Sequence, residues 1–175
     1  MPACYDGEER KTESGEEAVI RKMKTDDLED VLQIWLESNL QAHHFIEETY
    51  WRDHANLVRS LLPQAEVLVY EEDKTGEILG FLGLMENHIA GLFVRKEARS
   101  KGIGRALLKQ AEKRRPFLTL QVYEKNAGAL RFYQREGFQT KSEGVDEETG
   151  QKERTMIWKR EVSARIEDAG KGKPE

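Results

Sequence analysis

Apolar residues recur with two different periods along this chain, and the switches between them predict its elements. From Ala18 to Met23, the apolar Ala18, Ile20 and Met23 alternate imperfectly with charged neighbours, a period near two that predicts a first strand. Asp26 and Glu29 have the spacing of a helix capping box, and Leu28, Val31, Leu32, Trp35 and Leu36 follow at helical spacing. A second helical pattern runs through Ile46, Tyr50, His54, Leu57, Val58 and Leu61. It must stop before Pro63, because a residue preceding proline is pushed out of the helical region. Apolar runs at 66–70 and 78–84 flank the turn residues Asp73, Lys74, Thr75 and Gly76 and predict a β-hairpin. Next come a strand over 88–94, a helix from Gly102 closed by Pro116, a strand over 117–122 and a helix over 127–136 ending at Gly137. Two strands finish the pattern, one from Phe138 and one over 154–159. This order predicts an α/β (mixed α+β) domain, a mixed sheet of about seven strands with about four helices on its faces.

At 175 residues the chain fits one domain, and 38% apolar residues suffice for one core once the polar ends are set aside. Residues 1–17, rich in Glu with almost no large apolar side chain, are expected to form a mobile acidic tail, and residues 161–175 a second one. The folded domain is expected over 18–160. Cys4 is the only cysteine, so no internal disulfide forms, and no metal site is expected because nothing pairs Cys with His at ligand spacing. No apolar run approaches bilayer length and the first residues carry no signal-peptide pattern, which predicts no membrane association and a cytoplasmic location. A net charge of -5 argues against general nucleic-acid binding.

One stretch departs from that acidic balance. Arg99-Ser100-Lys101-Gly102-Ile103-Gly104-Arg105 lies between a predicted strand and a predicted helix, where free backbone N–H groups meet the positive end of the helix dipole. Gly102 and Gly104 let the backbone approach a pyrophosphate, while Arg99, Lys101 and Arg105 add positive charge. A Walker A loop would need Gly-Lys-Ser or Gly-Lys-Thr entering the helix, which is absent. A dinucleotide fingerprint matches at its first two glycines, with Glu124 near the position of a ribose-binding acid, but Leu107 replaces the third glycine. A plain tight turn with a solvated basic face is the remaining structural reading.

The same residues resemble the acetyl-CoA loop of the GNAT acetyltransferase superfamily, which reads Arg or Gln, two residues, Gly, one residue, then Gly or Ala. The preceding Gly91-Leu92-Phe93-Val94 looks like the family's splayed strand, whose backbone pairs with the pantetheine arm as an added strand would. Asn126-Ala127-Gly128-Ala129-Leu130-Arg131-Phe132-Tyr133 followed by Gly137-Phe138 is similar to its second signature helix. Met85 to Val94 also resembles a subgroup of small bacterial acetyltransferases. The resemblance implies a central, twisted, mostly antiparallel sheet and an N-acetyltransferase that moves an acetyl group from acetyl-CoA to a primary amine. It implies cofactor contacts from Leu92, Phe93, Val94, the segment Arg99, Ser100, Lys101, Gly102, Ile103, Gly104 and Arg105, and from Asn126 and Tyr133.

Such a reaction needs a neutral amine, a positioned carbonyl and a proton for the departing thiolate. Tyr133 is expected to supply that proton, since a phenol with a pKa of about 10 stays protonated at neutral pH. A backbone N–H near Phe93 or Val94 is the candidate for polarising the carbonyl. Some family members place a glutamate five residues before the signature Asn, but here that residue is Gln121, which takes up no proton at neutral pH. Glu86 and His88, two apart and so expected on one strand face beside the splay, are the candidate proton acceptors, with water and residues of the helical insertion as alternatives. His43, His44, Phe45, Glu47, Tyr50 and Trp51 resemble the family's variable acceptor cover, and an acidic rim built from Glu47 and Glu48 would favour a cationic amine. The acceptor amine stays open between protein N-termini, lysines, polyamines, aminoglycosides and other amines, and a non-catalytic acyl-CoA sensor is the alternative from another class. Oligomeric state is open too, with edge-strand pairing the natural route to a homodimer.

Overall fold

The computed structural model describes residues 8–11 and 17–162. Its elements are β1 (Glu8–Lys11), β2 (Glu17–Lys22), α1 (Leu28–Ala42), α2 (Glu48–Leu61), β3 (Glu66–Glu72), β4 (Ile78–Met85), β5 (His88–Val94), α3 (Ile103–Glu112), β6 (Phe117–Tyr123), α4 (Ala127–Arg135), β7 (Gln139–Val145) and β8 (Lys152–Lys159). The strands form one eight-stranded sheet in the order β1-β2-β3-β4-β5-β6-β8-β7. Every neighbouring pair is antiparallel except β5 and β6. Among the described residues, no helix is long and apolar enough to cross a membrane.

Alternation along β3 and β4 divides the core. Val67, Val69 and Phe81 pack with Val31, Leu32 and Ile34 of α1 on one face. Leu68, Leu82 and Leu84 pack with Leu107, Leu108 and Ala111 of α3 on the other. Strands buried on both faces have to read as continuous apolar runs, and these do.

Three sequence expectations need correction. Glu8–Lys11, inside the expected mobile tail, pairs with β2 in the register Glu8↔Ile20 through Lys11↔Glu17. An edge strand is held by backbone hydrogen bonds, which leave no mark in apolar composition. Residues 1–7 and 12–16 of that tail, Cys4 among them, and the part of the second tail from residue 163 lie outside the described residues. At the start of α1, Asp27 rather than Glu29 reaches back, accepting the Lys24 N–H at 2.6 Å and also the Arg21 guanidinium. In α2, Leu57 and Leu61 are 53% and 47% exposed, and Trp51 is the buried side chain. The apolar pattern found the helix but set its inward face slightly out of phase.

Candidate active site

The site begins with a break in the sheet. β5 pairs with β6 only at His88↔Thr119 and Ile89↔Leu120. On its other side, Gly83↔Gly91 is followed by Leu84↔Ile89, so Ala90 is an extra residue in β5 and makes a bulge. A bulge bends and twists its strand, and past Ala90 the two strands diverge. Gly91 allows the bend: a Cβ there would lie 2.3 Å from Cε2 of Phe93, whose ring folds back toward Phe81 at 5.3 Å between centroids. Among the described residues, no strand pairs with the β6-facing side of 90–94.

One cavity, about 670 Å³, opens on the α3 side of this gap. Ser100 at φ 61° and Gly102 at φ 83° turn the chain sharply before α3, whose first residues, with N–H groups that have no intrahelical partner, line the cavity. Leu92, Val94, Arg99, Ser100, Gly102, Ile103, Gly104 and Arg105 line it, together with Phe132 and Tyr133 of α4. Arg99 is held in place, donating from Nε to the Val94 carbonyl at 3.1 Å and from Nη2 to Gln41 Oε1 at 3.0 Å. Lys101 is exposed and is not among the lining residues. Buried Glu136 balances this basic wall, with Arg105 at 3.5 Å and Arg135 at 3.6 Å.

A second cavity, about 690 Å³, lies on the α1 side and includes Phe93 and Asn126 in its wall. Trp35, His43 and Trp51 form an aromatic wall, faced by Gln121 and Tyr123 of β6, Glu153 of β8 and Asp146, Glu147 and Glu148 of the β7–β8 turn. Leu92, Ala129 and Tyr133 line both cavities. Tyr133 is 8% exposed and packed by Phe132 and Phe138, and burial raises its hydroxyl above the ordinary phenol range, so it stays protonated at neutral pH.

A chain of hydrogen bonds joins the α1 end of the second cavity to α4. Asn39 Nδ2 donates to the Trp35 carbonyl at 2.9 Å, so Asn39 Oδ1 must accept, and His43 Nδ1 donates to it at 3.0 Å. The lone pair on His43 Nε2 then accepts from Asn126 Nδ2 at 3.1 Å, while Asn126 Oδ1 caps α4 by accepting from the Ala129 N–H. Burial against Trp51, Phe45 and Tyr123 lowers the His43 pKa to about 4, with the neighbouring His44 adding to the effect. His43 is therefore a neutral bridge whose lone pair is already in use.

The acidic wall is ordered in the same way. The Tyr123 hydroxyl donates to Asp146 Oδ2 at 2.6 Å, and Tyr50 of α2 donates to Glu148 Oε2 at 2.7 Å. Burial pushes the Asp146 carboxyl up, but Tyr123, Thr149 and two backbone N–H groups outweigh it and hold it below its usual range. Glu153 goes the other way, raised by burial and by the charge of Asp146.

Neither expected proton acceptor is in either cavity. Glu86, at φ 55°, occupies the turn between β4 and β5, exposed, with its carbonyl accepting from Arg115 Nε. Alternation does not carry through a turn, and the sheet opens at the far end of β5. His88 sits where β5 and β6 are still paired, its Nδ1 at 3.0 Å from Thr119 Oγ1, and burial lowers its pKa. Glu47, Glu48 and His44 are exposed outside the cavity wall, whereas His43 and Trp51 are part of it. Missed in the sequence were Trp35, Asn39, Tyr123, Asp146 and Glu153. Alternation from Gln121 points to Tyr123, but the register Tyr123↔Glu153 joins residues far apart in the chain and has no local signature.

Residues 63–140 match the family model described as the acetyltransferase (GNAT) domain. The chain is 43% identical over 122 residues to the peptidyl-lysine N-acetyltransferase YiaC of Escherichia coli, covering 69% of this chain and 82% of that protein. It is similar to the solution structure of apo YjaB from Escherichia coli, with a TM-score of 0.72 and 30% identity, over 80% of this chain and 96% of that one. The fold is shared with a spermidine N-acetyltransferase from Vibrio cholerae in complex with CoA and spermine, at a TM-score of 0.62 and 17% identity over 81% of this chain and 95% of that one. With two signature segments flanking a splayed sheet, a matching family model and a relative this similar over most of its length, the chain belongs to the GNAT family of N-acetyltransferases.

Proposed function

We propose that this enzyme acetylates the side-chain amine of protein lysines, drawing the acetyl group from acetyl-CoA held in the α3-side cavity. The observation that carries the reading is Tyr133, a buried phenol in the wall common to both cavities, where a donor thioester and an acceptor amine would meet. The α3-side cavity suits the donor: the N–H groups from Ser100 to Arg105, with Arg99 and Arg105, favour a pyrophosphate, and the open edge of β5 favours an amide-bearing arm. Acetyl-CoA supplies a thioester carbonyl open to an amine and a thiolate leaving group. The Phe93 or Val94 backbone N–H polarises the carbonyl, and Tyr133 protonates the thiolate.

The opposite cavity suits a lysine. Its aromatic wall packs a methylene stem while Asp146, Glu147, Glu148 and Glu153 attract the ammonium head, and the curated relative named above is a peptidyl-lysine enzyme. The test supplies acetyl-CoA with a lysine-containing peptide blocked at its N-terminus, a lysine-free peptide with a free N-terminus, and spermidine. Mass spectrometry should place the acetyl group on the lysine Nε. Turnover of spermidine or the free N-terminus alone would refute the assignment.

A further inference from the structure

We propose that Glu153 is the proton acceptor of the reaction, its carboxylate facing the acceptor cavity from β8 beside Gln121 and Tyr123 of β6. This inference rests on the reading of the α1-side cavity as the acceptor site. Loss of a proton from nitrogen has to accompany amide formation, and five titratable side chains in that wall are candidates by type: His43, Asp146, Glu147, Glu148 and Glu153.

Four are unsuited by what they already do. The His43 lone pair is held by Asn126, so a proton could enter only by breaking the bridge to α4. Asp146 accepts from Tyr123, Thr149 and the Glu148 N–H, and these bonds weaken it as a base. Glu148 accepts from Tyr50 and lies 3.7 Å from His54, fastening the β7–β8 turn to α2. Glu147 is exposed on the same turn.

Glu153 differs on each count. It lies on a strand inside the sheet, directly across from Tyr123. One oxygen, Oε1, accepts from Gln121 Nε2 at 3.2 Å, which orients the carboxylate and leaves Oε2 for an amine. The titratable groups that line the cavity with it are Tyr123 from β6, Asp146, Glu147 and Glu148 from the turn, His43 at the end of α1 and Tyr133 from α4. Only negative charge and neutral hydrogen-bonding groups are in that set, so burial and Asp146 raise its affinity for a proton. Gln121 stands where some family members carry a glutamate; here its amide holds a carboxylate presented from the neighbouring strand.

In the proposed step the amine nitrogen bonds to the acetyl carbon and the carbon–sulfur bond breaks. One N–H proton passes to Glu153, and the departing sulfur takes the proton of Tyr133. Exchange with solvent returns Glu153 to carboxylate and Tyr133 to phenol, so the sum is amine plus thioester giving amide plus thiol.

Glu153→Gln keeps the side-chain length and an oxygen for Gln121 but removes the proton acceptor. Initial rates should be measured over roughly pH 6 to 9 for wild type, Glu153→Gln and Glu153→Asp on the same three acceptors, with calorimetry for acetyl-CoA. The expected result is a fall in kcat of about tenfold or more for Glu153→Gln, a rate that keeps rising with pH, partial recovery in Glu153→Asp, and unchanged acetyl-CoA affinity. Glu153→Gln within about twofold of wild type across that range, on whichever amine wild type acetylates, would overturn the assignment. Failure of the lysine reading has a different signature, wild-type turnover of spermidine or a free N-terminus but not of lysine. Turnover of none of the three would overturn both.

Discussion

On the proposed donor side of Tyr133, most of the cavity comes from two continuous stretches, Leu92 to Arg105 and Gly128 to Glu136, and its character is set by backbone N–H groups and arginines. On the proposed acceptor side, the wall is assembled from α1, α2, β5, β6, α4, the β7–β8 turn and β8, and its character is set by aromatic rings and carboxylates. The first kind of site is built by local conformation: Ser100 and Gly102 at positive φ aim the start of α3 wherever the segment is placed. The second kind exists only after packing. Changes on the donor side should therefore act on cofactor affinity alone, and changes on the acceptor side on amine affinity and proton transfer.

The largest expected effect belongs to the residue the two sides share. Tyr133→Phe keeps the ring between Phe132 and Phe138 but removes the hydroxyl proposed as proton donor, so kcat should fall at least about tenfold, within the 10² to 10⁴ range usual for general acids if water does not substitute. Acetyl-CoA affinity should hardly change. Wild-type turnover with unaltered pH dependence would make Tyr133 a packing aromatic.

Gly104→Val tests the donor side. A Cβ at Gly104 already lies 3.5 Å from Phe132 and 3.8 Å from Val94, so the added methyls have the cavity to enter. Calorimetry should show acetyl-CoA binding weakened at least tenfold, about 1.4 kcal/mol. Unchanged affinity would move the pyrophosphate elsewhere.

A smaller effect is expected from Glu147→Lys on the acceptor rim. Reversing this exposed charge should raise KM for a lysine peptide about threefold, less at high salt, and leave acetyl-CoA affinity alone. An equal loss for both substrates would break the division between the cavities.

His43 gives the smallest and most specific signal. With a folded pKa of about 4 against about 6.5 unfolded, its ring takes up a proton on unfolding between those values, so acid favours the unfolded chain there. The stability due to its neutral burial is complete above about pH 6.5 and declines as the pH falls toward 4. Gln can donate to Asn39 and accept from Asn126 but does not titrate. His43→Gln should therefore lose less melting temperature than wild type between pH 7 and pH 5, and parallel losses would show that the ring does not change charge.

Legibility followed the same division. The helices, the β3–β4 hairpin, the loop before α3 and the α4 signature were readable because each is encoded by neighbours in the chain: apolar period, turn residues, glycines at fixed offsets. Glu86 and His88 lie away from both cavities for a related reason. Strand alternation does not pass through the turn at Glu86, and it cannot report which end of β5 loses its partner.

By itself, the sequence determined the order of elements, the basic glycine-bearing turn at Arg99 to Arg105 and a tyrosine at the signature position of α4, since these depend on local dihedral preferences and short-range periodicity. Tertiary structure alone decided that β5 and β6 part after Ile89, that Asn126 meets His43, and that Glu153 lies across from Tyr123. Those contacts join segments between about thirty and eighty residues apart in the chain. Strand register and burial fix them together, and no residue carries either in its own neighbourhood.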